Sequence, residues 1–198
     1  MSSVLEHYDL LIEKGNDPVL DGKALSEYMD KWDGKKFVSL LDLDKDKTVL
    51  EIGCGTGRIL KKIVNTYKSY VGIDISPKTI ETAKTHFIEN TDISFICEDF
   101  LNTNIDQNFD VIFSTLTFMH FENKLLPLTK IHQLLNNGGK VVLSIDKNQR
   151  RFIDTGFSQI TIFPDNPKTI CKLLTSIGFK NVKTKKVKFA YLITAQKL

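Results

Sequence analysis

The chain has 198 residues, enough for one domain with a substantial core. It is 41% hydrophobic and 26% charged, an ordinary balance for a globular protein, and no run approaches the roughly 20 apolar residues of a membrane span. A net charge of +3 is too small to argue for nucleic acid. The start, MSSVLEHYDLLIEK, lacks a basic segment followed by an apolar one, so a secretory leader is not expected and cytoplasmic residence is. Cys54, Cys97 and Cys171 are odd in number and far apart, which fits neither a disulfide framework nor a zinc site.

The first forty residues contain three helical pieces carrying Leu10, Leu11, Tyr28, Met29, Trp32, Phe37, Leu40 and Leu41, broken at Gly15-Asn16-Asp17-Pro18 and at Asp33-Gly34. From residue 48 onward, short β-branched runs alternate with helical patterns. Thr48–Ile52 reads as a strand that ends on the cluster GCGTG, and Ile59, Leu60, Ile63, Val64 and Tyr67 then recur at helical spacing. Residues 70–75 form a second strand. Ser76 and Pro77 suit a helix N-cap and first turn, and Ile80, Ala83 and Phe87 continue that helix's buried stripe. Residues 93–96 and Phe109–Thr115 are strands three and four, the latter apolar enough to be covered on both faces. A helix with Leu128, Ile131 and Leu135 is expected to end at Asn136-Asn137-Gly138-Gly139, before a fifth strand at 140–146. Asn166-Pro167 opens a last helix, with Ile170, Leu173, Leu174 and Ile177 inward and Gly178 closing it. Runs at 182–187 and 191–197 are too close for a crossover helix and should pair antiparallel.

This alternation predicts an α/β, doubly wound, Rossmann-like sheet of seven mostly parallel strands, ordered 3-2-1-4-5-7-6 with the last strand antiparallel. The link between strands three and four, LNTNIDQN, is too short for a crossover helix. It must cross about three strand spacings, or roughly 14 Å. Eight extended residues reach roughly 26–28 Å, so a reversal of strand order between strands one and four is feasible. Ligands bind at such a switch point, where the glycine cluster lies. The expected organisation is one domain, 1–198, with a helical cap over the ligand end (1–44), a Rossmann-like core (45–198) and a lid or substrate insertion at 147–166.

A glycine turn between strand and helix permits positive φ and close approach of backbone to ligand. Asp74, twenty-one residues after Gly53 at the end of strand two, is placed to accept hydrogen bonds from ribose hydroxyls. Together they indicate an adenosine-containing cofactor without saying which. The dinucleotide fingerprint G-x-G-x-x-G would need glycine where this chain has Arg58. Instead, VLEIGCGTGR resembles motif I of the class I S-adenosylmethionine-dependent methyltransferases, (D/E)-x-G-x-G-x-G. VGIDIS resembles the family's ribose-binding segment, FICEDF its third-strand segment, FDVIFSTLTFMHF its fourth strand, and LLNNGGKVVLSID its helix, turn and fifth strand. The resemblance runs from Thr48 to Lys197.

The resemblance implies S-adenosyl-L-methionine as cofactor. Gly53, Cys54, Gly55 and Gly57 would approach its methionine moiety and ribose, and Asp74 would hold the ribose with Ile75 packed on the adenine. Asp99 and Phe100 would meet the adenine edge, and Ser114 and Thr115 would line the methionine end. Glu51 would contact the ammonium group or brace the loop. Apart from the resemblance, Tyr28, Met29 and Trp32 could close over the cofactor or simply be core.

An acidic nucleophile also needs a base, and His120, just after strand four, is the candidate; packing in its loop is the alternative. Phe118, Met119, Phe157 and Phe163 could form an apolar acceptor pocket or simply be core. Arg150 and Arg151 could pair with an anionic acceptor or simply be solvated. No (N/D)-P-P-(Y/F/W) follows strand four and no Pro-Cys is present, which disfavours nucleic-acid methylation. Asp146 and Asn148 have no matching acid on strand four, so no metal is expected. Lysines 180, 183, 185, 186 and 188 on the final hairpin are read as protection of a sheet edge. The expected partner is a small-molecule methyl acceptor, without nucleic acid or membrane, and the chain itself is expected to be a monomer or homodimer. A cofactor sensor without catalysis, a nucleic-acid methyltransferase and a nicotinamide-dependent oxidoreductase are the alternatives.

Overall fold

The computed structural model describes residues 2–198. In chain order it holds α1 (Val4–Glu13), α2 (Lys23–Asp33), α3 (Lys35–Leu41), β1 (Thr48–Ile52), α4 (Leu60–Ile63), β2 (Ser69–Asp74), α5 (Pro77–His86), β3 (Ile93–Cys97) and β4 (Phe109–Thr115). A 3₁₀ turn (Phe118–His120) follows, then α6 (Leu125–Leu134), β5 (Leu135–Asp146), β6 (Phe152–Asp154), β7 (Gln159–Thr161), α7 (Pro167–Ile177), β8 (Lys180–Lys186) and β9 (Ala190–Gln196). Seven strands form one sheet in the order β3-β2-β1-β4-β5-β9-β8. Counting only those seven, this is the predicted 3-2-1-4-5-7-6. Strand β9 runs antiparallel to both neighbours, and the others are parallel. The reversal of strand order falls between β1 and β4, where the short helix-free link from β3 crosses the sheet end.

Alternation along each strand sends side chains to two cores. On one face Leu50, Ile52, Ile112, Val141, Leu143 and Ile193 meet α6 and α7 through Leu128, Ile131, Ile170 and Leu174. On the other, Val49, Val111, Phe113, Val142 and Leu192 meet Phe37 and Leu41 of α3 and Ile59, Leu60 and Ile63 beneath the glycine loop. A sheet covered on both faces explains the nearly unbroken apolar run of β4.

Local signals set several boundaries. Ser76 Oγ accepts from Thr79 N at 3.1 Å and Pro77 occupies the first turn of α5. Asn166 Oδ1 accepts from Lys168 N and Thr169 N, and Gly178 ends α7 at φ +115°. Two expectations needed correction. The helix after the glycine cluster was read through Tyr67 but stops at Ile63, because Val64 turns extended and Asn65 adopts φ +65°. Tyr67 is still buried. Leu135 is not the end of α6 but the first residue of β5, opposite Phe109. The Asn136–Gly139 segment then forms a register irregularity in that ladder, with Gly138 at φ +81°. Outside the main sheet, β6 and β7 make a small antiparallel hairpin within the segment read as a lid. Among the described residues no helix is long and apolar enough to cross a membrane.

Candidate functional site

At the end of β1 the chain reverses through Gly53–Gly57. Gly53 sits at φ +72°, and a Cβ there would come 2.1 Å from Thr117 Oγ1. Gly57 sits at φ +99°, where a Cβ would come 2.3 Å from the Phe87 ring. Both glycines are therefore demanded by conformation and by packing. The loop is pinned to the neighbouring strand, since Gly53 N and Cys54 N donate to Ile73 O at 2.8 and 3.1 Å. The next residue of β2, Asp74, accepts from Gly55 N at 3.0 Å and from Ser76 N at 3.1 Å. Burial raises the Asp74 pKa, while the amides of Ser76, Gly55 and Ile75 oppose that rise. A carboxylate has about four lone-pair sites, so Asp74 retains capacity for a further donor.

Above this loop lies a cavity of about 600 Å³, within the range of small-molecule and cofactor sites. Glu51 lies on its floor, fully buried, accepting from the Tyr70 hydroxyl at 2.5 Å. Burial pushes the Glu51 pKa up to about 8, partly countered by the Tyr70 hydrogen bond and the Arg58 charge. Arg58 also lines the cavity. Its two terminal nitrogens donate to the two oxygens of Asp33, the last residue of α2, at 2.6 Å each. Burial works against the Arg58 charge, but the Asp33 carboxylate outweighs it and the pKa is raised.

The opposite wall begins where β4 ends. Leu116 adopts φ +55°, a strained conformation for a leucine, and faces the cavity. The following 3₁₀ turn presents His120, whose Nε2 lies 2.9 Å from the Tyr8 hydroxyl, with the two rings edge-on. Its Nδ1 is buried without a partner. Burial pushes the His120 pKa down to about 4, with the charges of His7 and Lys124 acting in the same direction. Three consecutive residues of α1 thus bind three parts of the fold. His7 Nδ1 is 2.9 Å from Ser158 Oγ at the turn of the β6–β7 hairpin. Tyr8 holds His120. Asp9 accepts from Ser76 Oγ at 2.6 Å and Lys78 N at 3.2 Å, at the start of α5.

Residues 43–189 match a family described as a methyltransferase domain. The chain belongs to this family. It is 36% identical over 110 residues to malonyl-[acyl-carrier protein] O-methyltransferase 1 of Ilyobacter polytropus, covering 54% of this chain and 41% of that protein. The match to this relative therefore spans about two fifths of the relative's length. The fold superposes on the DhpI–SAH complex with a TM-score of 0.76, at 17% identity, covering 96% of this chain and 93% of that one. It also superposes on the N-methyltransferase NodS of Bradyrhizobium japonicum in complex with S-adenosylhomocysteine, with a TM-score of 0.68 at 18% identity, covering 96% and 97%.

Within this methyltransferase fold, most of the residues singled out in the sequence converge. Glu51, Gly53, Cys54, Gly55, Asp74 and Ile75 line the cavity, as do Asp99, Phe100, Thr115 and His120. Four do not. Gly57 lies beneath, against Phe87. Ser114 points between strands and donates to Ile52 O at 2.7 Å. Tyr28 and Trp32 pack with Phe189, at centroid distances of 5.8 and 4.5 Å, because α2 lies along the β5–β9 side of the sheet. Among the described residues of the first forty, only α1 and Pro18 reach the cavity. The acceptor wall also differs from the aromatic set read in the sequence. Phe118 is core, Met119 supports Ile160 and Ile162 of the hairpin region, and Phe157 is exposed. The apolar residues on the cavity include Val4, Leu116, Phe121 and Leu126. Arg58 and Tyr8 were missed. Their partners, Asp33 and His120, are remote in sequence, and no local pattern marks either pair.

Proposed function

We propose that the chain binds S-adenosylmethionine in this cavity and passes its methyl group in line to a small acceptor. The observation that carries the reading is Asp74. Its carboxylate is fixed by Gly55 N–H on the same loop whose glycines open the cavity, and it keeps lone-pair capacity for a ribose hydroxyl. The bound cofactor would supply an electrophilic methyl carbon on a sulfonium. Glu51, beside Arg58 at the base of the loop, suits the ammonium of an amino-acid moiety. Asp99 accepts from Leu101 N at 2.9 Å within its own turn, and with Phe100 it forms the remaining wall for a base edge. The His120–Tyr8 side faces the place where an acceptor would enter, so this chain's contribution is orientation and exclusion of water rather than bond activation. Its relatives and structural neighbours include both O- and N-methyltransferases, so the acceptor does not follow from kinship.

Calorimetric titration with S-adenosylmethionine, S-adenosylhomocysteine and NADH tests this. Micromolar binding of the first two and none of NADH is expected, at about −8 kcal/mol. Asp74→Ala should weaken both by about 1.5–3 kcal/mol through loss of hydrogen bonds to a charged group. Binding of NADH alone would discard the reading, and unchanged affinity in the variant would remove Asp74 from the site.

A further inference from the structure

We infer that the acceptor taken by this cavity is an amine on an apolar skeleton rather than a carboxylate or an alcohol. The inference rests on the methyl-transfer reading above and adds the acceptor's chemical class. Charge is the first argument. Five carboxyl groups line the cavity: Glu51, Asp74, Glu98, Asp99 and Glu122. Among the described lining residues the one permanent cation is Arg58, already bound bidentately to Asp33. Lys124, close by, is turned away onto the carbonyls of Phe118 and Phe163 and onto Asp165. A carboxylate entering here would lose its hydration among like charges with no free cation to replace it.

Proton transfer is the second argument. An alcohol must give up its proton as it attacks, and the histidine on the wall is His120. Its Nε2 is engaged by Tyr8, and its surroundings oppose an imidazolium, holding its pKa near 4. That is far below what an efficient base at neutral pH needs. An amine needs no base in the transfer itself. Its ammonium form is drawn to the exposed rim carboxylates Glu98 and Glu122, sheds a proton to water there, and enters as the free base. The nitrogen lone pair then forms the N–C bond, the C–S bonding pair leaves with sulfur, and the positive charge passes from sulfur to nitrogen. The product loses its extra proton to water at the same rim. The cavity holds one positive charge before and after the step, which suits its excess of carboxylates. Val4, Leu116, Phe121 and Leu126 supply apolar contact for the amine's skeleton.

Three matched probes, hexylamine, hexan-1-ol and hexanoate, test this. Each is titrated calorimetrically into protein saturated with S-adenosylhomocysteine and assayed for label from methyl-tritiated S-adenosylmethionine. Hexylamine should bind about ten-fold more tightly than hexanoate and be the probe that takes label. Glu122→Gln should weaken its binding and leave S-adenosylhomocysteine affinity unchanged. Preference for hexanoate or hexan-1-ol, or no difference among the three, overturns the inference. A hexanoate preference abolished by Arg151→Ala would place an anionic acceptor in the adjoining hollow that Arg151 lines. Failure of S-adenosylhomocysteine itself to bind, measured first on the same sample, would instead strike the cofactor reading.

Discussion

At one end of the cavity, Gly53, Gly55 and Asp74 come from two adjacent strands and the loop between β1 and α4, and backbone amides do most of the holding. At the other end, Tyr8, Leu116 and His120 come from an N-terminal helix and from the turn after β4, and side chains hold one another. The first end is a consequence of strand topology and glycine conformation. The second depends on α1 docking correctly against three separate elements. A change in α1 should therefore alter the His120 end while leaving the glycine-loop end intact. Arg58 is the exception, because it fastens the glycine loop itself to α2 through Asp33.

The largest expected effect comes from that fastening. Arg58→Ala leaves Asp33 fully buried without its partner and should cost about 3–5 kcal/mol in urea unfolding. Arg58→Ala with Asp33→Ala should recover part of that loss. A single-variant loss below about 1 kcal/mol would show that the glycine loop stands without α2.

A smaller effect separates the two ends by pH. Glu51, facing Tyr70, Arg58, Asp33 and Asp74, keeps its proton to about pH 8 in the fold but has an unfolded value near 4.5. Between those values the folded state binds the extra proton, so its contribution to stability falls as pH rises. His120, facing Tyr8, His7 and Lys124, stays neutral in the fold down to about pH 4, against 6.5 unfolded. There the unfolded state binds the extra proton, and stability rises with pH up to 6.5. The two oppose each other below 6.5, and Glu51 acts alone from 6.5 to 8. The wild-type loss in that window should approach about 2 kcal/mol, at up to about 1.4 kcal/mol per pH unit. Glu51→Gln should remove it and unmask the His120 rise at lower pH. Urea unfolding at half-unit pH steps, taken as wild type minus variant, measures this, and a flat difference from pH 6.5 to 8 would refute the assignment.

The smallest effect tests the His120 end alone. Tyr8→Phe should cost about 0.5–1.5 kcal/mol, the loss of one buried hydrogen bond, with S-adenosylmethionine affinity unchanged. A double-mutant cycle with His120→Ala should return coupling of similar size. Zero coupling would mean that the two rings merely touch.

The glycine-loop end was legible in the sequence because its signals are local: a glycine run at a strand end and an acid at the end of the following strand. Glu51, Gly53, Gly55 and Asp74 meet for that reason. Tyr28 and Trp32 misled because an aromatic helical stripe reads the same whether it faces a cavity or, as here, Phe189 on the sheet's flank. Ser114 misled by one residue of strand alternation: Thr115 faces the cavity and Ser114 the neighbouring strand. Leu135 was placed in a helix because an Asn-Gly pair serves equally as a helix stop and as a bulge.

By itself, then, the sequence determined the sheet, its order, the switch point and the loop beneath the cavity. Each follows from periodicity, chain reach or the conformational needs of glycine, which act over a few residues. Only the tertiary structure decided the rest: that Arg58 is spoken for by Asp33, that Tyr8 engages His120, and that the cavity's carboxylates lack a free cation among the described lining residues. Those are pairings and charge balances between residues remote in the chain. They exist only once packing has removed water and brought the groups within hydrogen-bonding distance.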